Sequence, residues 1–537
     1  MVDCLKYRDT NHFSELVYNY VEQSPDFKAF ISNFPSIEAF KVQLESKSKN
    51  FNQKNRQVLN KVLQNDYSSI DASQQTLTNI ENLKLENTFT VTTGHQLNLF
   101  TGPLYFFYKI ISTINLCQEL SEAYPEQNFV PLYWMASEDH DFDEINFFNF
   151  KRKKVSWKSE QNGPVGEFST SSIDEFLNQL SELFGNHKNA EDLLNLFQQA
   201  YVGHDNLADA HFYLVNTLFT KYGLVVLKPN HPQLKHCFKS YIKNELLDQT
   251  AHQHVLLQSE NLKEKGYNIQ VNPREINLFY IEKGIRERIV KHDGHYHVLE
   301  TQLKFSETEI LQLVDEHPER FSPNVIMRPL YQEVILPNLC YIGGGGELAY
   351  WLQLKSFFDS QQITFPLLLL RNSVLLYSDK TAKKLKQLNL SIQDLFLSQA
   401  DLTEKIVKKE SEIEIDFSEQ IQYLKQQFSS LYRTALLTDA SFEGAVAAQE
   451  QKQINGLKHL EKRLLKAQKR KLSDHLKRAV SLQDMLFPNG GLQERYLNFS
   501  EVYVDTGKDF IQVLKDQLKP LSGKFTAIEL DIYHIEN

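Results

Sequence analysis

Cysteine is scarce in this chain: Cys4, Cys117, Cys237 and Cys340 are the 4 among 537 residues, and no two form a CxxC pair. That spacing argues against a zinc ribbon or a thioredoxin-like centre, and so little cysteine in so long a chain fits a reducing compartment. Long apolar runs are missing as well. The longest near the middle, Phe365 to Leu370, is far short of the roughly 20 residues that a membrane-spanning helix needs. Met1 to Asp9 is polar and lacks the apolar stretch of a secretory leader. A cytoplasmic protein without a membrane partner is expected. Positive charge is not in excess either: the formal net charge is -10, which argues against a nucleic-acid partner, because phosphate binding needs a basic surface. GxxxxGK[ST] is absent, no GxGxxG follows the first predicted strand, and no GxSxG occurs. A P-loop nucleotidase, a dinucleotide-dependent dehydrogenase and a serine hydrolase are therefore not indicated.

What is present is an ordinary globular composition, 41% hydrophobic and 23% charged, in a chain too long for a single core. Residues 1–88 read mainly as helices packed on a core, with Phe27, Phe30, Ile31 and Phe34 at helical spacing. In 89–146, the β-prone run Phe89 to Thr93, the apolar-periodic Leu104 to Leu120 and the run Val130 to Met135 give strand, helix, strand, the pattern of a βαβ unit. Residues 147–215 read as a helical insertion, and 216–267 resume the core at Tyr222 to Leu227. Residues 268–300 alternate like a small antiparallel sheet, with Asp293-Gly294 as a hairpin turn. Residues 301–400 supply the second half of the core, with strands predicted at Val325 to Met327 and Phe365 to Leu370.

Residues 401–486 have a different character. Ile421, Leu424, Phe428, Leu431 and Ala435 step by three and four, and Leu465, Leu472, Ala479 and Leu486 recur every seven. With a short break at Leu437 to Phe442 between them, the two runs predict an antiparallel coiled coil, whose simplest use is dimerisation. Its basic stretch Lys458 to Lys477 reads as a solvated face. Residues 487–537 return to the core.

Four segments carry chemistry. Gly94, His95 and Gln96, followed by Thr101 and Gly102, lie where a strand gives way to a helix, the crevice in which open α/β sheets bind ligands. Glu138, Asp139, His140 and Asp141 follow the next buried strand, where carboxylates can bind an amine or act as a general base. Adjacent residues cannot all converge on one ion, so substrate binding is favoured over a permanent metal. The third segment holds Arg328 and Gln332, then four glycines from Gly343 to Gly346, including Gly344 and Gly345, and then Glu347, Tyr350 and Trp351. Such a glycine run suits close backbone approach, an anion held on amides or a flexible hinge. The fourth, Asn489, Gly490 and Gly491 with Gln493, Glu494 and Arg495, makes a turn after the coiled coil and is either a helix start or a pocket.

In order, TTGHQLNLFTGPLYFFYK, WMASEDHDFDEIN, RPLYQEVILPNLCYIGGGGELAYW and FPNGGLQER resemble the bacillithiol biosynthesis cysteine-adding enzymes across essentially the whole chain. The resemblance implies a Rossmann-like core of the class I aminoacyl-tRNA synthetase kind, two connecting-peptide insertions and a C-terminal coiled coil through which members form homodimers. It implies ligation of cysteine to the amine of glucosaminyl malate through an activated carboxylate. His95, Asp139, His140 and Asp141 would then be catalytic. Gly94, Gln96, Thr101, Gly102, Glu138, Arg328, Gln332, Gly344, Gly345, Glu347, Tyr350 and Trp351 would line the substrates. ATP or ADP would sit at Asn489, Gly490, Gln493, Glu494 and Arg495. The alternatives are a related ATP-dependent ligase or nucleotidyltransferase acting on another amine, and a coiled-coil scaffold without catalysis.

Overall fold

The computed structural model describes residues 2–530; residues 531–537 of the expected C-terminal segment, and Met1 of the N-terminal one, lie outside the described residues. Among the described residues two compact units emerge, one of residues 2–8, 12–378 and 491–530, the other of 9–11 and 379–490.

The first unit is organised by a five-stranded sheet. Its strands are β1 (Thr88–His95), β2 (Asn128–Met135), β3 (Val225–Leu227), β4 (Asn338–Gly343) and β5 (Leu367–Leu370). They run in the spatial order β3-β2-β1-β4-β5 and all pair in parallel. This is a doubly wound order whose direction of travel reverses between β1 and β4, the place where such sheets leave a crevice at their carboxyl ends. Strands covered on both faces need near-continuous apolar runs, and LLLL in β5 is buried at every position. β1 is the exception, rich in threonine. Its hydroxyls are satisfied inside the sheet: Thr92 donates to Asn338 Oδ1 at 2.9 Å and Thr93 to the Ile342 carbonyl at 2.8 Å.

The crossover helix α1 (Tyr105–Ala123) packs against β1 and β2 and is buried along most of its length. An N-terminal helix, Ile37–Asn50, adds Phe40 and Leu44 to a cluster with Phe89, Val91, Leu116, Leu120, Ile342 and Leu369. That cluster ties residues far apart in sequence into one core.

The predicted antiparallel insertion is present and larger than 268–300. Leu278–Glu282, Ile285–His292, His295–Val298, Lys304–Phe305 and Phe321–Pro323 form a single sheet. Asp293 (φ 49°) and Gly294 (φ 72°) make the expected turn between two of its strands. Residues 304–305 and 321–323, read from sequence as core, belong here; strands of two or three residues carry no periodicity to reveal them. The strand predicted at Val325 to Met327 is corrected. Asn324 Oδ1 accepts from the Ile326 and Met327 amides at 2.9 and 3.2 Å, and helix α2 (Met327–Ile335) begins there. An Asn side chain taking up free amides and a proline in the first turn are helix-start signals that outweigh a three-residue apolar run. Residues 147–215 open with a β-hairpin, Phe147–Phe150 and Lys153–Ser156, ahead of their helices. Val2–Lys6 is a strand, paired with Lys524–Leu530, which also pairs with Val374–Ser378.

In the second unit, helices Ser418–Ala435 and Ala440–Lys471 run antiparallel around Phe428, Ala435 and Val446. The Phe417 amide meets Glu461 at 3.0 Å at one end, and Tyr432 meets Glu450 at 2.9 Å nearer the turn. A further helix, Ser473–Leu486, buries Leu476, Ala479, Leu482 and Leu486. Lys458, Lys462, Arg463, Lys466 and Arg470 are exposed, as a solvated face requires. Among the described residues no helix is long and apolar enough to cross a membrane.

Truncating the fully buried Phe40 to alanine should destabilise the first unit by about 3–5 kcal/mol, seen as a lower urea midpoint. An unchanged midpoint would show that the Ile37–Asn50 helix does not contribute to this core.

Candidate active site

The chain leaves β2 in a tight turn, with the Ala136 amide donating to the His95 carbonyl at 3.0 Å and the Ser137 amide to the Met135 carbonyl at 2.9 Å. This turn delivers Glu138, Asp139 and His140 to the rim of the parallel sheet. Facing them across a cavity of about 720 Å³ are Leu278, Phe279, Arg286 and Arg288 of the antiparallel sheet, Arg274 before it, and Asn324 and Arg328 at the start of α2; Trp134 forms part of the wall. A cleft of this size accommodates a small-molecule substrate.

Asp139 is held from several sides. Its Oδ1 accepts the His140 amide at 2.8 Å and lies 3.6 Å from Arg286 Nη1, while Oδ2 accepts Gln96 Nε2 at 2.9 Å. Burial resists ionisation of Asp139, but the Arg286 charge and the hydrogen bonds from Gln96 and the His140 amide keep the carboxyl well below its usual range. His140 Nδ1 lies 2.5 Å from Arg286 Nη1, and the imidazole packs on Phe279. Arg286 also stacks on Phe279, 4.1 Å from the ring centre, and donates Nε–H to Ser322 Oγ at 3.3 Å. Next to this group, Glu138 accepts from Lys235 at 2.8 Å, and Lys235, wholly buried, also donates to the Phe321 carbonyl. Burial lowers the Lys235 pKa, and Glu138 opposes the fall.

Arg328 forms another part of the wall. Nη1 donates to Gln332 at 3.0 Å, Nη2 reaches the Tyr350 hydroxyl at 3.4 Å, and the guanidinium lies over Trp134 and Tyr341. None of Arg274, Arg288 and Arg328 has a carboxylate within ion-pair distance among the described residues, whereas Arg286 has Asp139. The four arginines of the lining stand against three carboxylates, Glu138, Asp139 and Glu287, so the cavity carries a small positive excess in a chain that is acidic overall.

Behind Arg328 lies the strand-order reversal. Lys109, on α1, donates to the Gly94 carbonyl and pairs with Glu347 at 2.7 Å; Glu347 also accepts from Tyr341 at 2.5 Å and from the Gly344 amide at 2.8 Å. Burial resists ionisation of Glu347, yet Lys109 and that amide hold it below its usual value. Contact explains two of the four glycines, Gly343 and Gly345. A Cβ on Gly343 would come within 2.8 Å of Glu347, and one on Gly345 within 2.7 Å of Val17. Trp351 is buried against Tyr341.

Other expected site residues sit elsewhere. The His95 ring lies beside Tyr105 and Phe106, not among the side chains lining the cavity, and its Nε2 is buried without a partner among the described residues. Burial, with Lys109 nearby, pushes its pKa well below the ordinary value. Thr101 and Gly102 form a tight turn whose left-handed Gly102 has no room for a Cβ, 2.6 Å from Asn98, and which Asn498 braces. Asp141 is exposed at the start of a short helix. Asn489 (φ 55°) and Gly490 (φ 73°) form a turn in the second unit. In the first unit, Gln493 pairs through both ends of its amide with the Leu376 backbone, and Glu494 is buried in a bidentate pair with Arg371. Arg495 is exposed.

Lys109, Lys235, Arg274, Arg286 and Arg288 were not singled out from sequence. For two of them a signal existed: Arg286 and Arg288 are two apart in a strand and so point to one face. Among the described residues no cluster of three or more His, Cys, Asp or Glu suits a metal ion.

The loop carrying Arg274 is braced from below. Glu245 Oε1 accepts from the Asn277 amide and side chain at 2.9 and 2.8 Å, while Asn277 bonds the backbone of Arg274 and the side chain of Asn324. Burial raises the Glu245 pKa to about 7. A carboxyl with a raised folded-state pKa binds more protons folded than unfolded, so its contribution is lost as pH rises between its unfolded value, about 4.5, and about 7. Glu245→Gln should flatten the fall in stability across that window in denaturation curves at stepped pH. Parallel curves for wild type and variant would contradict the assignment.

Residues 1–372 match the family model described as "Bacillithiol biosynthesis BshC, N-terminal Rossmann-like domain", and residues 374–530 match the C-terminal coiled-coil domain of the same family. Relatives named "Putative cysteine ligase BshC" include those of Flavobacterium johnsoniae and Flavobacterium psychrophilum. Each is 54% identical over 528 residues, covering 98% of this chain and 99% of the relative. That of Christiangramia forsetii is 51% identical over 530 residues, with 98% of each chain covered. A solved structure titled as an arginyl-tRNA synthetase from Campylobacter jejuni covers 86% of this chain and 98% of its own at 11% identity, but its TM-score of 0.22 carries no argument. The Rossmann-like sheet, the coiled coil and these matches together show that the chain belongs to the bacillithiol biosynthesis BshC family.

Proposed function

We propose that this protein is a ligase that joins L-cysteine to the amine of glucosaminyl malate, forming the amide of bacillithiol. The observation that carries the reading is the charge layout of the cavity: an ionised carboxylate, Asp139, on one wall and Arg274, Arg288 and Arg328, without carboxylate partners among the described residues, on the others. A substrate bearing one amine and the two carboxylates of a malyl group is complementary to that layout.

Amide formation needs a neutral amine and an activated acyl carbon. Asp139, kept ionised, holds the incoming ammonium in place, and the nitrogen gives one proton to solvent to become the neutral amine before attack. Glu138, whose charge Lys235 balances, takes the proton that the nitrogen loses on attack. Arg328, stiffened by Gln332 and Tyr350, grips a substrate carboxylate. A nucleoside triphosphate supplies the activation as a co-substrate, and its phosphates need cations; Arg495, exposed on the first unit, is such a cation. Homodimerisation through the coiled coil accompanies this reading, supported by the exposed Leu436 and Leu437 at its turn.

Purified protein supplied with cysteine, ATP and glucosaminyl malate should yield the cysteinyl amide by mass spectrometry. A product with some other amine only would remove the assignment, and cells carrying Asp139→Ala with unchanged bacillithiol would favour a scaffold. Arg328→Met should raise KM for glucosaminyl malate roughly 10- to 100-fold, the worth of one charge-assisted hydrogen bond, with a smaller effect on kcat. An unchanged KM would take Arg328 out of the substrate site.

A further inference from the structure

With the ammonium on Asp139, the proton on Glu138 and a carboxylate on Arg328, His140 is left without a task. A histidine beside two carboxylates at a sheet rim is ordinarily taken for a general base, but its contacts argue otherwise. Arg286 Nη1 lies 2.5 Å from His140 Nδ1, whereas the nearest carboxylate oxygen, Asp139 Oδ1, is 3.6 Å from that nitrogen. A guanidinium has five N–H donors and no acceptor, so Nδ1 must be the unprotonated nitrogen and the ring proton resides on Nε2. Arg286 cannot easily turn away. It is 9% exposed, stacked on Phe279 and bonded through Nε to buried Ser322. The His140 side chain is about half exposed and lines the cavity.

We propose that Arg286 is a positioning residue that fixes His140 as an Nε2–H donor, and that His140 acts in catalysis as an oxyanion stabiliser rather than as a base. The proposal rests on the ligase reading. As the amine nitrogen's lone pair forms the new C–N bond, the π electrons of the activated cysteine carbonyl move onto its oxygen, which takes a hydrogen bond from His140 Nε2–H. Collapse restores the carbonyl and expels the phosphate or nucleotide phosphate leaving group with its bonding pair, and the proton lost by nitrogen goes to Glu138. A donor aimed at charge that develops only in the transition state raises kcat and leaves ground-state binding little changed. The division of labour follows from the contacts: the nitrogen that a base would need is occupied by a cation, and the other already carries its proton.

The test has two arms. In the first, long-range ¹⁵N–¹H NMR of the full-length protein with labelled histidine reads the tautomer, the His140 signal being assigned by its loss in His140→Gln. Wild type should show the pure Nε2–H form. Arg286→Lys, which still offers an N–H, should keep it, and Arg286→Met should give a mixture. An Nδ1–H tautomer in wild type, or no change in Arg286→Met, overturns the proposal. In the second arm, kcat for amide formation should fall about 10²- to 10³-fold in His140→Ala. His140→Gln, whose amide N–H reaches about as far as Nε2–H, should recover at least tenfold of that loss with KM unchanged. Gln and Ala variants that fold, bind substrate and are equally slow would return His140 to the role of base. Failure of the wild type to ligate cysteine to any amine would sink the functional reading, while the NMR arm would still decide the tautomer.

Discussion

A guanidinium taken almost wholly out of water must be met by hydrogen-bond acceptors, because an unpaired buried charge is among the most destabilising features a fold can contain. Arg286 stands on the antiparallel sheet and finds its acceptors, His140 and Asp139, on the rim of the parallel one. That requirement fixes the distance between two sheets that share no strand. The same contact keeps Asp139 ionised and orients His140. Next to it, Lys235 makes a second bridge, reaching the Phe321 carbonyl of the antiparallel sheet and the Glu138 carboxylate at the rim of the parallel one with one ammonium. The cavity is the space these two bridges hold open.

Much of the scaffold could be read from residue pattern. The βαβ start, the late strand at Leu367–Leu370, the Asp293-Gly294 hairpin and the coiled coil all carry signals of local origin: apolar runs, heptads and turn residues. Val325 to Met327 misled because three apolar residues do not separate a strand from a helix start, and the deciding residue was Asn324, just outside the run. The rim cluster at Glu138 to His140 was legible because acidic residues that directly follow a buried strand must stand at the sheet's edge. Its partners were not. Arg286 lies 146 residues from His140 and Lys235 97 residues from Glu138, and the topology that unites them is set by core packing far from either. Tyr341, Lys109 and Glu347 show the same limit: the tetraglycine run marked a crowded place, but what crowds it, Val17 and Glu347, became visible only in three dimensions.

The electrostatics also qualify what composition can convey. A net charge of -10 describes the chain as a whole, yet the cavity gathers Arg274, Arg288 and Arg328, which have no carboxylate within ion-pair distance among the described residues. Local excess opposite in sign to the whole molecule is informative, since a charged group left unpaired in a concave site is retained for something that arrives from outside. Glu138 and Asp139 of the same cavity are, by contrast, each already matched to a cation. On the proposed reading, recognition of anionic groups and handling of an amine fall to different walls, with the reacting centre between them.

The most direct test of this arrangement is a crystal structure of the protein soaked with glucosaminyl malate. Density is expected in the 720 Å³ cavity, with the malyl carboxylates on Arg328 and Arg274 or Arg288 and the amine within hydrogen-bond distance of Asp139. A ligand bound in the reverse orientation, its amine among the arginines, or ordered at another place on the chain, would contradict it.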